Sequence, residues 1–167
     1  MNIERKKLKT TQKSKIGSKM KMVYHDQFEE YGYSPKSLGC GKGRQDLRFD
    51  ALTCFVVPNS KILDFGCGFG DLLSFLKNNN LPVKYSGCDV MNVFLDEAKE
   101  RYPGDDFFEI EVGGDLPNES YDNIICSGVF NFKYVEDNMK HQEEVYSIIE
   151  RLFDRCGGVL SIDFQTP

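Results

Sequence analysis

The chain has 167 residues, 40% of them apolar, with thirteen phenylalanines, eight tyrosines and no tryptophan. That length holds one domain with a real core. No apolar run approaches the roughly 18 residues of a membrane span, and no apolar block follows the basic amino terminus as in a secretory signal, so the cytoplasm is the expected compartment. Six cysteines lie scattered without CxxC spacing, beside only His25 and His141, a pattern that excludes a disulfide framework and leaves no metal site to expect.

Charge divides the chain before structure does. Residues 1–22 carry eight Lys or Arg against Glu4 alone, a net of +7, which leaves −12 on the other 145 residues. Such a run reads as a solvated, disordered arm, without the interleaved aromatics of a nucleic-acid platform. Residues 23–60 form a lead-in: an irregular or loosely helical stretch to Gly43, then a helix over Arg44 to Phe55 with Leu47, Ala51, Leu52 and Phe55 as its buried face. Pro58-Asn59-Ser60 ends it.

Residues 61–167 then alternate. Lys61 to Phe65 is a strand, and Asp71 caps a helix bearing Leu72, Leu73, Phe75 and Leu76. Lys84 to Asp89 is the second strand, followed by a helical face of Phe94, Leu95, Ala98 and Tyr102. Phe107 to Val112 and Tyr121 to Ser127 are the third and fourth strands. Val145, Ile148, Ile149, Leu152 and Phe153 make a helical stripe stopped by Gly157-Gly158, and Val159 to Phe164 is the fifth strand. The alternation predicts an α/β fold, Rossmann-like and doubly wound, with a mostly parallel sheet covered by helices on both faces. Ligands of such sheets bind at the carboxyl ends of the strands, where strand order reverses.

At that edge stands Asp64-Phe65-Gly66-Cys67-Gly68-Phe69-Gly70, and nineteen residues beyond it Asp89 ends the second strand. Glycines let the backbone turn sharply and approach a ligand, and an acid after the second strand can accept both hydroxyls of a ribose. A dinucleotide fingerprint, GxGxxG, would need its third glycine where Asp71 stands. The pattern is instead DxGxGxG, whose leading acid, Asp64, repels a pyrophosphate but suits a ligand carrying an ammonium and a sulfonium. The expected cofactor is therefore S-adenosylmethionine, with an NAD(P)-binding oxidoreductase as the weaker alternative.

The run Ile62 to Leu72 resembles the first motif of class I S-adenosylmethionine-dependent methyltransferases, Gly87-Cys88-Asp89-Val90 their second, and Tyr121 to Gly128 their fourth-strand segment. Ser34-Pro35-Lys36, Leu38-Gly39, Arg48-Phe49 and Ser127-Gly128-Val129-Phe130-Asn131 are similar to an uncharacterised bacterial-type subgroup. The resemblance implies backbone contacts from Gly66, Cys67 and Gly68, and Asp64 at the amino-acid end of the cofactor. It also implies Asp89 on the ribose, Val90 against adenine, and a Ser127 carbonyl near the sulfonium. Asp115 is the residue implied for the adenine amine, with Glu111 competing. Arg48 reads as an ion-pair partner rather than a ligand contact.

No catalytic residue follows from the resemblance, because methyl transfer needs a base only when the acceptor must lose a proton; Asn131, Tyr24, Tyr33 and His25 are the nearby candidates. The segment after the fourth strand lacks the Asn/Asp-Pro-Pro-aromatic motif of nucleic-acid amino methylation. A small-molecule acceptor is expected, with RNA or protein behind it. The family adds two further strands beyond the fifth, and here the chain reaches Pro167 first. Those two strands are therefore expected to be missing, the fifth to be an open edge, and the acceptor side to be incomplete. A truncated or non-catalytic S-adenosylmethionine-binding protein that works with a partner chain, or self-associates at this edge, is the second reading.

Overall fold

The computed structural model describes residues 19–39, 45–111, 114–133 and 137–164. Five strands, β1 (Lys61–Phe65), β2 (Lys84–Asp89), β3 (Asp106–Glu109), β4 (Tyr121–Cys126) and β5 (Cys156–Ile162), form one sheet in the order β3-β2-β1-β4-β5. Every pairing is parallel. Strand alternation sends neighbours to opposite faces. Ile62, Tyr85 and Ile125 pack into one core with helices α2 (Gln45–Thr53), α3 (Asp71–Asn78) and α4 (Asn92–Arg101), while Leu63, Cys88 and Ile124 pack into another with α5 (Asn138–Phe153). The five described cysteines are free, and Cys67, Cys88 and Cys126 are buried as small apolar groups. No helix among the described residues is long and apolar enough to cross a membrane.

Several boundaries differ from the sequence reading, each for a tertiary reason. Residues 19–31 form a helix, α1, so the arm read over 1–22 meets the fold before its expected end. Met20 is only 6% exposed and Lys21 Nζ lies 3.0 Å from Glu109 Oε1; residues 1–18 lie outside the described residues. The buried face of α2 is Phe49, Leu52 and Thr53, whereas Leu47 and Phe55 are exposed. The Phe49 ring, 5.7 Å from that of Phe75 on α3, sets this orientation. On α5, Val145, Ile148 and Leu152 are buried but Phe153 is exposed. Asp71 is not the cap of α3: Gly70 holds that position, and the Asp71 carboxylate reaches outward to other elements.

Gly157-Gly158, read as a helix stop, lies within β5. Tyr121 pairs with Cys156 and Asn123 with Val159, so two glycines oppose Asp122 alone in a bulge. A Cβ on Gly158 would sit 2.4 Å from the Asp122 carbonyl oxygen, whereas one on Gly157 would meet Tyr121 O at an ordinary 3.6 Å. Gly158→Ala should therefore cost about 1–3 kcal/mol, the scale of forced overpacking, and Gly157→Ala much less. Thermal unfolding of the two variants checks this, and equal midpoints would contradict the bulge.

Candidate functional site

The strand order reverses between β1 and β4, and a cavity of about 340 Å³ opens at their carboxyl ends. Its floor is the glycine loop. Gly66, Gly68 and Gly70 all have left-handed backbones, with φ of 79°, 53° and 75°, a conformation that strains any residue with a Cβ. A side chain would also clash, since a Cβ on Gly66 would lie 2.6 Å from Val129 Cγ2 and one on Gly68 2.9 Å from Leu38 Cδ2.

The loop is tied to β2 through its own amides. Gly66 N and Cys67 N both donate to Cys88 O, at 2.8 and 2.9 Å, and Gly68 N donates to Asp89 Oδ2 at 2.9 Å. Met91 N donates to the other Asp89 oxygen, also at 2.9 Å. Asp89 is thus anchored by backbone on both oxygens, and with Val90 N as a third amide on the carboxylate one of its four lone-pair sites is left for a ligand hydroxyl. Burial pushes its carboxyl up, and hydrogen bonds from Gly68, Met91 and Val90 oppose that. With these amides committed, the loop is poorly equipped to cradle a pyrophosphate, which agrees with the spacing argument against a dinucleotide.

Asp64, at the end of β1, is 3% exposed and accepts a 2.6 Å hydrogen bond from the Tyr85 hydroxyl. Burial pushes its carboxyl up to about 7, against the lowering effect of that hydroxyl, and Asp89 and Asp71 push it the same way as burial. A positively charged group in the cavity would relieve this crowding of acids.

Seven of the eight residues singled out from sequence line this cavity: Asp64, Gly66, Cys67, Gly68, Asp89, Val90 and Ser127. Asp115 is not among its lining residues, whereas Glu111 is. Of the candidate bases, Tyr24 and Asn131 line it, His25 is exposed elsewhere, and Tyr33 is engaged with Asp71 at 3.2 Å. Arg48 lines the cavity and pairs with Asp163 at 3.6 Å. Asp163, unforeseen in the sequence, also accepts from Gly128 N at 2.5 Å and so fixes the turn after β4.

The roof was unforeseen as well. Met20, Tyr24 and Gln27 of α1, with Leu38, close over the loop. Phe69, fully buried, bolts that roof down: its ring lies 5.9 Å from Phe28, 5.1 Å from Tyr33 and 4.8 Å from Phe94. Arg101 reinforces the joint, stacking 4.1 Å from the Tyr33 ring and donating to Phe69 O and Asp71 Oδ1 at 2.9 and 3.1 Å.

The chain is similar to known proteins in sequence and in fold. Residues 63–160 match the family model described as a methyltransferase domain. A trans-aconitate 2-methyltransferase of Rhizobium rhizogenes is 32% identical over 111 residues, covering 64% of this chain and 40% of that protein. A ubiquinone/menaquinone biosynthesis C-methyltransferase of Geotalea daltonii is 25% identical over 159 residues, 90% of this chain and 65% of its own length. Among solved structures, magnesium protoporphyrin IX methyltransferase from Synechocystis PCC 6803, with bound SAM, superposes with a TM-score of 0.62 at 18% identity, over 87% of this chain and 76% of that one. The chain thus spans 40% of the length of the trans-aconitate enzyme it matches. Its sheet order, glycine loop and matched span agree, and the chain belongs to the methyltransferase-domain family.

Proposed function

We propose that the chain binds S-adenosylmethionine in this cavity and transfers its methyl group to a small-molecule acceptor. The observation that carries the reading is Asp89, held by Gly68 N and Met91 N with acceptor capacity left for a ribose hydroxyl, beside a loop whose Gly66, Cys67 and Gly68 amides are already committed. Asp64 would take the ammonium, Asp89 the ribose, Val90 the adenine face, and Glu111, rather than Asp115, the adenine amine. Gly66, Cys67 and Gly68 would pass along the ligand, and Ser127 would lie near the sulfonium. In the transfer the acceptor's lone pair attacks the methyl carbon while the carbon–sulfur pair leaves on sulfur, so alignment and exclusion of water supply much of the rate. The small-molecule class is supported by the activities of the relatives, and the reducing cytoplasm is a compartment that the free cysteines fit.

Calorimetry with S-adenosylmethionine, S-adenosylhomocysteine and NADH tests the reading. Saturable binding of the first two, without NADH, is the expected result; binding of NADH alone overturns it.

A second reading, binding with activity only beside a partner chain, is favoured by the edge at β5. Its Gly157 and Gly158 are exposed, its other residues are only half-buried, and Phe153 and Phe164 are exposed around it. Such an edge accepts an added strand, from a partner or a second copy.

A further inference from the structure

We infer that Gln27, on the roof helix α1, binds the amino-acid end of the donor through its carboxamide; the inference rests on the S-adenosylmethionine reading above. Gln27 lines the cavity, and its Oε1 is shut off from solvent without a hydrogen-bond partner among the described residues. A buried amide oxygen is costly to leave unpaired, and folded proteins rarely do so. On a side chain that lines the cavity, such a group finds its partner by turning toward the cavity's occupant.

Its neighbours place it over the glycine loop. The adjacent Phe28 packs on Phe69 of that loop, at 5.9 Å between rings. Gln27's own carbonyl accepts from Ser37 Oγ at 3.3 Å, and the next residue along, Leu38, covers Gly68. Asp64, which the reading above puts at the amino-acid end of the donor, lines the same cavity.

Chemistry then selects the residue type. That end is a zwitterion, so it needs hydrogen-bond acceptors for its ammonium and donors for its carboxylate. The amides of Gly66, Cys67 and Gly68 are committed to Cys88 and Asp89. Asp64 and Asp71, also in the wall, only accept when ionised. A carboxamide supplies both functions and adds no charge to a crowded set of acids, and either orientation of its O and N serves.

The test compares two ligands on the full chain by calorimetry. S-adenosylhomocysteine has the amino-acid end; methylthioadenosine is the corresponding nucleoside thioether without it. Gln27→Met, close in size and suited to a helix, should weaken S-adenosylhomocysteine about tenfold and leave methylthioadenosine unchanged. Gln27→Glu, which keeps an acceptor but faces the ligand carboxylate with a charge, should show the same selectivity, and methylthioadenosine binding certifies that either variant is folded. Equal effects on both ligands, or none, overturn the role of Gln27 while the donor reading stands. Failure of the unaltered chain to bind either ligand overturns both.

Discussion

Asp89→Ala should weaken S-adenosylhomocysteine by about 1–3 kcal/mol, or roughly 5- to 150-fold, the scale of hydrogen bonds to a charged group. The carboxylate is 8% exposed, and both of its oxygens accept from backbone amides. Its geometry is thus fixed before any ligand arrives, so little of the binding energy is consumed in orienting it. The substitution also strips Gly68 N and Met91 N of their acceptor, which loosens the loop that passes under the ligand. Two measurements separate these effects. Thermal unfolding reads the loss of the loop anchor without ligand. A double-mutant cycle with the deoxyribose analogue of S-adenosylhomocysteine reads the ribose contact: the alanine variant should discriminate the analogue far less than the unaltered chain does. Additive losses would place the ribose elsewhere.

What the sequence disclosed was what short segments decide. β1 and β2 have the bounds expected, and for β1 the signal is Ile62, Leu63 and Phe65, the apolar run of a strand buried on both faces. The glycine loop was legible because a left-handed backbone at alternate positions leaves glycine as the residue without strain. The roof was missed although its signal existed. Met20, Tyr24, Gln27 and Phe28 recur at helical spacing, but the first sits among lysines and the rest run into Gly32 and Gly39, so charge and turn residues hid the period. Asp71 looked like a helix cap by type and place, yet its partners, Tyr33, Gln45 and Arg101, are twenty-six or more residues away. Asp163, thirty-five residues from Gly128, is the same case. Local pattern carries strands and turns; carboxylates that bind distant elements carry no local mark. The Gly157-Gly158 pair was misread for a related reason, since a helix stop and a bulge both demand glycine and only the opposing strand distinguishes them.

Asp64→Asn should raise the stability of the ligand-free protein while weakening its hold on the donor. The Asp64 carboxyl stands at about 7 against an ordinary 3.8. Between those values the folded state keeps a proton that the unfolded chain has released. Stability therefore falls as pH rises through that window, and above it stays at the lower level. A shift of this size corresponds to at most about 4 kcal/mol, at 1.36 kcal/mol per unit. Asparagine cannot ionise, and its amide oxygen can still accept from the Tyr85 hydroxyl, so the variant should escape the loss. Its midpoint should exceed that of the unaltered chain by several degrees at pH 8, and the two should converge near pH 4. A ligand ammonium reverses the preference, because it favours the ionised carboxylate that burial and the nearby Asp89 and Asp71 oppose. Donor binding near pH 7 should accordingly release a proton, visible as a buffer-dependent heat, and both that release and much of the affinity should disappear in the variant. Midpoints that stay parallel from pH 4 to 8, with no buffer dependence in either protein, would show that Asp64 does not titrate in this range. The same desolvated acid that costs the empty fold stability would then have no claim on the ammonium.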